Sequence, residues 1–225
     1  MSYQIYIGVK EESMVLPVIK EIKHLNCKVM LGNNVNSFSQ LVNKCIQDCF
    51  SNYNVIIFCS HRVRPTESDI NRLLSKINEG YGYVGLYRFA FFGIHRDVIK
   101  QVGLFDENFI AGYEDDDFRI RLNYHNIAFY EDHSTVYLPG LTSWTNNRSV
   151  EEKYFHTKYT IDSINKTIKI NFDIFSDISS DISSDDNNKK DKKFLTHKDS
   201  VYVKDVGSYY GWCGPGIHNF TFITS

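Results

Sequence analysis

The chain has 225 residues with 42% hydrophobic composition, enough for one sizeable core. A formal net charge of -2 and a pI near 6.4 exclude a broad electrostatic surface for nucleic acid or anionic lipid, so any phosphate recognition has to be local. The longest apolar run, Val55 to Cys59, is far too short to span a bilayer, and MSYQIYIGVK enters a strand pattern without a signal-peptide region; the expectation is a cytoplasmic protein with no integral membrane segment. The five cysteines include no CxxC pair, and Cys45 and Cys49 fall on a helical apolar stripe, as reduced core thiols do.

Ile5, Ile7 and Val9 alternate as in a strand, and Val15, Val18, Ile19 and Ile22 then recur at helical spacing. Cys27 to Leu31 reads as a second strand, followed by a helix whose stripe is Phe38, Leu41, Val42, Cys45, Ile46 and Cys49. Asn54 to Cys59 is the continuous apolar run of a strand buried on both faces. Thr66 with Asp69 forms a capping signal for a third helix, which Gly80 ends. Three such strand–helix units in about eighty residues argue for a doubly wound α/β sheet, whose ligands bind beyond the carboxyl ends of the strands. Those ends are Gly8 to Lys10, Gly32 to Asn34 and Ser60 to Arg64.

The second half is more α+β. Strands are expected near Tyr83 to Leu86, Phe89 to Ile94, Ile127 to Glu131 and Thr135 to Leu138, adding mixed strands to the same sheet. Ser149 with Glu152 suggests a capping box, and Phe155, Ile161, Ile164 and Ile168 suggest one long helix from Val150 to Asn171. The division is then a main domain over 1–171, a polar low-complexity segment over 172–200, and a carboxy-terminal extension over 201–225 that packs back on the domain.

Residues 103–122, GLFDENFIAGYEDDDFRIRL, gather six carboxylates in a turn leading into a helix. A helix amino terminus favours anions by about 0.3–1 kcal/mol each, which accounts for Glu114, Asp115 and Asp116 but not for the preceding Phe-Asp-Glu. Asp117 and Arg121, at i and i+4, read as a structural ion pair. No GxGxxG after a strand, no P-loop and no Gly-x-Ser-x-Gly elbow is present.

Written as G-x-F-D-E-x-F, a short gap, then G-Y-E-D-x-D-[LF]-x-x-R-L, the stretch resembles the carboxylate motif of family 2 glycosyltransferases of the GT-A fold. The resemblance covers roughly residues 3–160. It implies a GT-A, Rossmann-like mixed sheet flanked by helices and an inverting transfer of a single sugar from a nucleotide diphosphate sugar, UDP-linked, to a glycan or other hydroxyl acceptor. Asp115 would be the general base, and Glu114 would lie beside the donor sugar. Gly8, Val9, Lys10 and Asn33 fall where the family holds the nucleotide, and Asp106 lines the sugar pocket or caps the turn. Trp144 falls where an acceptor-facing loop is placed.

One departure stands out. The family's D-x-D metal motif aligns with Ser60-His61-Arg62, so a Mn²⁺ or Mg²⁺ cofactor is uncertain. Two readings stay open: His61, Arg62 and Arg64 meet the diphosphate directly, because a guanidinium presents a bidentate donor set to phosphate, or a weak metal site uses His61 with His133 or His156. The Q-x-x-R-W signature of processive synthases is absent. The alternative to an enzyme is a catalytically degenerate nucleotide- or carbohydrate-binding module.

Overall fold

A computed structural model describes residues 1–22, 25–87, 89–110, 112–132, 136–137, 148–162, 164–171, 193–202 and 221–223. Strands β1 (Tyr3–Val9), β2 (Cys27–Leu31) and β3 (Val55–Ser60) are parallel neighbours, β1 lying between the other two. Strand β4 (Val63–Arg64) forms a small ribbon with β8 (Val136–Tyr137). Strands β5 (Tyr83–Tyr87), β6 (Phe91–His95) and β7 (Phe129–Glu131) widen the main sheet, and the carboxy-terminal β11 (Val201–Tyr202) joins its edge. The order is β11-β7-β5-β6-β3-β1-β2. Only β6 runs against the rest, so the sheet is mixed, as the change of pattern in the second half suggested.

Alternation along the strands divides the core in two. Ile5, Ile7, Val9, Val55, Ile57 and Cys59 face α1 (Val15–Ile22) and α3 (Glu67–Glu79), packing on Val18, Ile22, Ile70, Leu73 and Ile77. Tyr6, Ile56 and Phe58 face the other way, toward α2 (Phe38–Phe50), α4 (Arg96–Val102) and α5 (Glu114–Tyr124). Every residue of β3 is buried, the signature of a strand covered on both faces. The capping box of Thr66 and Asp69 forms, and Gly80 ends α3 in the left-handed region at φ 111°. Cys45, Cys49 and Cys59 are buried free thiols, and burial pushes Cys49 up to about 12.

Gly8 has a packing reason to be glycine. A Cβ there would lie 2.5 Å from the Phe58 ring and 3.1 Å from Leu41. Gly8→Ala is expected to cost about 1–3 kcal/mol by overpacking, read as a lower urea midpoint at unchanged m-value.

The long helix expected over Val150 to Asn171 is corrected. Helix α6 (Arg148–Lys158) is shorter, and the chain continues as a hairpin of β9 (Tyr159–Asp162) and β10 (Thr167–Ile170). Ile161 and Ile168 face each other across it, while Ile164 sits 92% exposed at the tip. Asp162 accepts the amides of Ile164 and Asn165 and shapes the turn. Strand β12 (Thr221–Ile223) pairs in parallel with β10.

The boundary at residue 200 also moves. The amide of Leu195 donates to the carbonyl of Gly80 at 2.8 Å, its carbonyl accepts from Ala128 at 2.9 Å, and Phe194 packs on His95, so residues 193–200 belong to the packed domain. Residues 172–192 lie outside the described residues.

Candidate active site

The carboxyl ends of β1, β2 and β3 come together. Gly8 pairs with Met30 and Ser60, the amide of His61 donates to the Gly8 carbonyl at 3.1 Å, and that of Gly32 donates to Val9 at 2.7 Å. The candidates Gly8, Val9, Asn33 and His61 therefore share one rim. Val9 is fully buried, so only its backbone can meet a ligand there; Asn33 is exposed and Lys10 half-buried. Arg64 donates to the carbonyls of His61 (2.7 Å) and Val63 (3.0 Å), bracing the turn on which the half-buried Arg62 sits.

The acidic turn is fastened to this rim through α2. The Phe38 amide donates to the Ile110 carbonyl (3.0 Å), Ser39 Oγ to Phe109 (3.1 Å), and the Asn43 amide pairs with both backbone groups of Phe105. The left-handed residue that aims α5 is Tyr113, at φ 65°, and not the preceding glycine. A bulky residue in that region stores strain of order 1–3 kcal/mol, and the Tyr113 ring is held against Phe155 at 5.0 Å.

Four carboxylates then fill the first turn of α5, and they separate by partner. Asp117 is wholly buried; it accepts from Arg121 Nε (2.9 Å), from Tyr159 Oη (2.7 Å) and from Lys158, and lies 2.7 Å from Arg121 Nη2 in the ion pair. The ion pair read from its spacing is present. Asp115 is 28% exposed at its side chain; Oδ2 accepts from Arg119 Nη1 at 3.0 Å and Oδ1 accepts the Asp116 amide at 3.0 Å. Asp116 is buried and lies 3.3 Å from the same Nη1.

Glu114 differs, because its Oε2 is shut away with no hydrogen-bond partner among the described residues. Burial first, then the charges of Asp115, Glu151 and Asp116, push its carboxyl up to about 8. The folded chain then holds a proton on Glu114 that the unfolded chain releases near the ordinary value of 4.5. Stability should consequently fall as pH rises between those two values. Glu114→Gln is expected to flatten that fall, seen as a smaller loss of melting temperature from pH 5 to pH 8 than in the parent.

Asp106, read as pocket lining or turn cap, is engaged as a cap and joint. Its Oδ1 accepts the backbone and side-chain amides of Asn108 (2.9 and 2.8 Å), and its Oδ2 accepts Tyr154 Oη (2.9 Å) and Lys158 Nζ (2.7 Å). Burial alone would raise it, but the Lys158 charge and these donors hold it below the usual carboxylate range. Sequence reasoning missed Arg119, Glu131 and Lys158, although Arg119 stands at the same i,i+4 spacing from Asp115 that revealed Arg121.

The D-x-D position offers a buried serine, a buried histidine and an arginine, with no carboxylate, which is a poor donor set for a hard divalent cation. His156 is exposed on α6, and His133 and Trp144 lie outside the described residues. Among the described residues, no group of three or more His, Cys, Asp or Glu is arranged to hold a metal, and no helix is long and apolar enough to cross a membrane.

No model of a known protein family matches the chain, and no curated protein matches it. Among solved structures it is similar to A197 from STIV, with a TM-score of 0.43 and 12% identity over 65% of this chain and 99% of that one.

Proposed function

We propose that the chain is an inverting glycosyltransferase of the GT-A type, moving one sugar from a UDP-linked or related nucleotide diphosphate donor to a hydroxyl acceptor. The observation that carries the reading is Asp115, a carboxylate in the first turn of α5 that is partly open to solvent while both its oxygens are held from the protein side. Asp115 takes the proton of the acceptor hydroxyl as its oxygen attacks the anomeric carbon. The bond from that carbon to the diphosphate breaks, and the diphosphate leaves with the electron pair. No general acid is required for so good a leaving group, unlike glycoside hydrolysis. Gly8, Val9, Lys10 and Asn33 line the nucleotide side, with Arg62 and Arg64 beside the diphosphate in place of the missing aspartates. Ser60 and Arg62 are unsuited to holding a hard divalent cation.

A second reading, a binding module without turnover, is favoured by that same replacement. Thermal-shift measurements against a panel of UDP-sugars, coupled to an assay of UDP release, separate the two. Donor present at 100 times its Kd should add about 2.7 kcal/mol of stability. Under the proposal the shift survives EDTA, shrinks in Arg62→Ala or Arg64→Ala, and is accompanied by UDP release. A shift abolished by EDTA and untouched by either substitution would contradict the diphosphate assignment, and a shift without release would favour the module.

A further inference from the structure

We infer that Arg119 is the positioning residue of the site: anchored on Glu131 at the end of β7, its guanidinium fixes the Asp115 carboxylate in one orientation for proton transfer. The inference rests on the reading of Asp115 as the base. Arg119 is 1% exposed and spans two elements. Its Nε meets both oxygens of Glu131 at 3.1 Å, and Nη2 lies 3.0 Å from Oε2 of the same carboxylate. From the other edge, Nη1 reaches Asp115 at 3.0 Å and Asp116 at 3.3 Å. The guanidinium carbon lies 5.0 Å from the centre of the Phe89 ring, so an aromatic side chain also backs the cation.

A comparison within the same helix separates positioning from support. Arg121 is equally buried, but beyond Asp117 it donates to the carbonyls of Val102 and Leu104, so it ties α5 to the segment after α4. Arg119 instead ends on a carboxylate that solvent reaches. Its position is one that the family pattern leaves open, so the arrangement is a feature of this chain. A lysine could keep the charge but not bridge Glu131 and Asp115 together, since only the planar fork presents donors on both edges.

The test uses the full chain with Arg119→Lys and, should that variant fold poorly, Glu131→Gln, which removes the anchor charge at nearly constant shape. Two readouts are taken. In steady-state transfer or hydrolysis of a UDP-sugar, Arg119→Lys should lower kcat by about 10²-fold with donor KM within a few-fold, because misplacing a reacting group costs turnover more than binding. Added to Asp115→Asn, it should cause no further loss. Three-bond NMR couplings of the Asp115 side chain should report one staggered rotamer in the parent and rotamer averaging in Arg119→Lys or Glu131→Gln. Parental kcat, or an Asp115 rotamer unchanged in both variants, overturns the inference. Averaging in the variants with no turnover in the parent upholds the clamp and overturns the sugar-transfer reading.

Discussion

Asp115→Asn should lower sugar transfer by about 10²–10⁴-fold while leaving donor binding within a few-fold, because the change removes a proton acceptor and keeps size and shape. The amide keeps a single oxygen, so it can accept from Arg119 or from the Asp116 amide but not from both as the carboxylate does, and a melt of the variant checks that the first turn of α5 holds. If Glu114 lies beside the donor sugar, as the resemblance implies, Glu114→Gln should weaken donor affinity more than turnover. Asp116 at first sight offers a neutral control, at a position the family pattern leaves free. The structure removes that use, because Asp116 is buried and shares Nη1 of Arg119 with Asp115. Asp116→Asn is therefore expected to disturb Asp115 indirectly. Steady-state kinetics with calorimetric donor binding would separate the three variants, and equal mild effects at all three would mean that the cluster only caps the helix.

The largest loss of stability is expected at Asp117→Asn. Asp117 lies at the centre of a buried group in which two cations, Arg121 and Lys158, face two carboxylates, Asp117 and Asp106. Neutralising Asp117 leaves one carboxylate for both cations in a site closed to water. Breaking a buried pair from one side costs about 3–5 kcal/mol. For a chain of this size that corresponds to a melting temperature lower by roughly 6–20 °C. The exposed pair of Lys76 and Glu79, at 2.7 Å, provides the contrast. Glu79→Gln should change stability by less than about 1 kcal/mol despite comparable geometry, since solvent screens it. Similar losses in the two variants would show that the Asp117 group does not bear on stability through its burial.

These two networks mark where the sequence could be read and where it could not. The β1 to α3 half was legible because strand and helix periods alternate cleanly and each helix carries its own signals, as Thr66, Asp69 and Gly80 do. The Asp117–Arg121 pair was legible because its spacing is local. Lys158 joins Asp117 from 41 residues away and Asp106 from 52, and nothing in the chain announces such contacts. The sequence accordingly leaves Asp106 open between pocket lining and turn cap, while in the fold both its oxygens are engaged. The hairpin of β9 and β10 was missed for a different reason: Ile161, Ile164 and Ile168 recur at three and four residues, which suits a helix face and equally the two arms and tip of a hairpin. Glu131 ends an apolar strand as a buried carboxylate, raised by burial against the opposing pull of Arg119. That anomaly was the one local sign that an arginine had to meet it.

Proton NMR of a UDP-sugar incubated with the full chain, read early enough to precede mutarotation, tests the central claim most directly. With water standing in for the acceptor, the parent should release UDP together with a sugar whose anomeric configuration is opposite to that of the donor, and Asp115→Asn should release neither at a comparable rate. Release with retained configuration, release unchanged in Asp115→Asn, or no release from any donor in the panel would contradict an inverting transferase with Asp115 as its base.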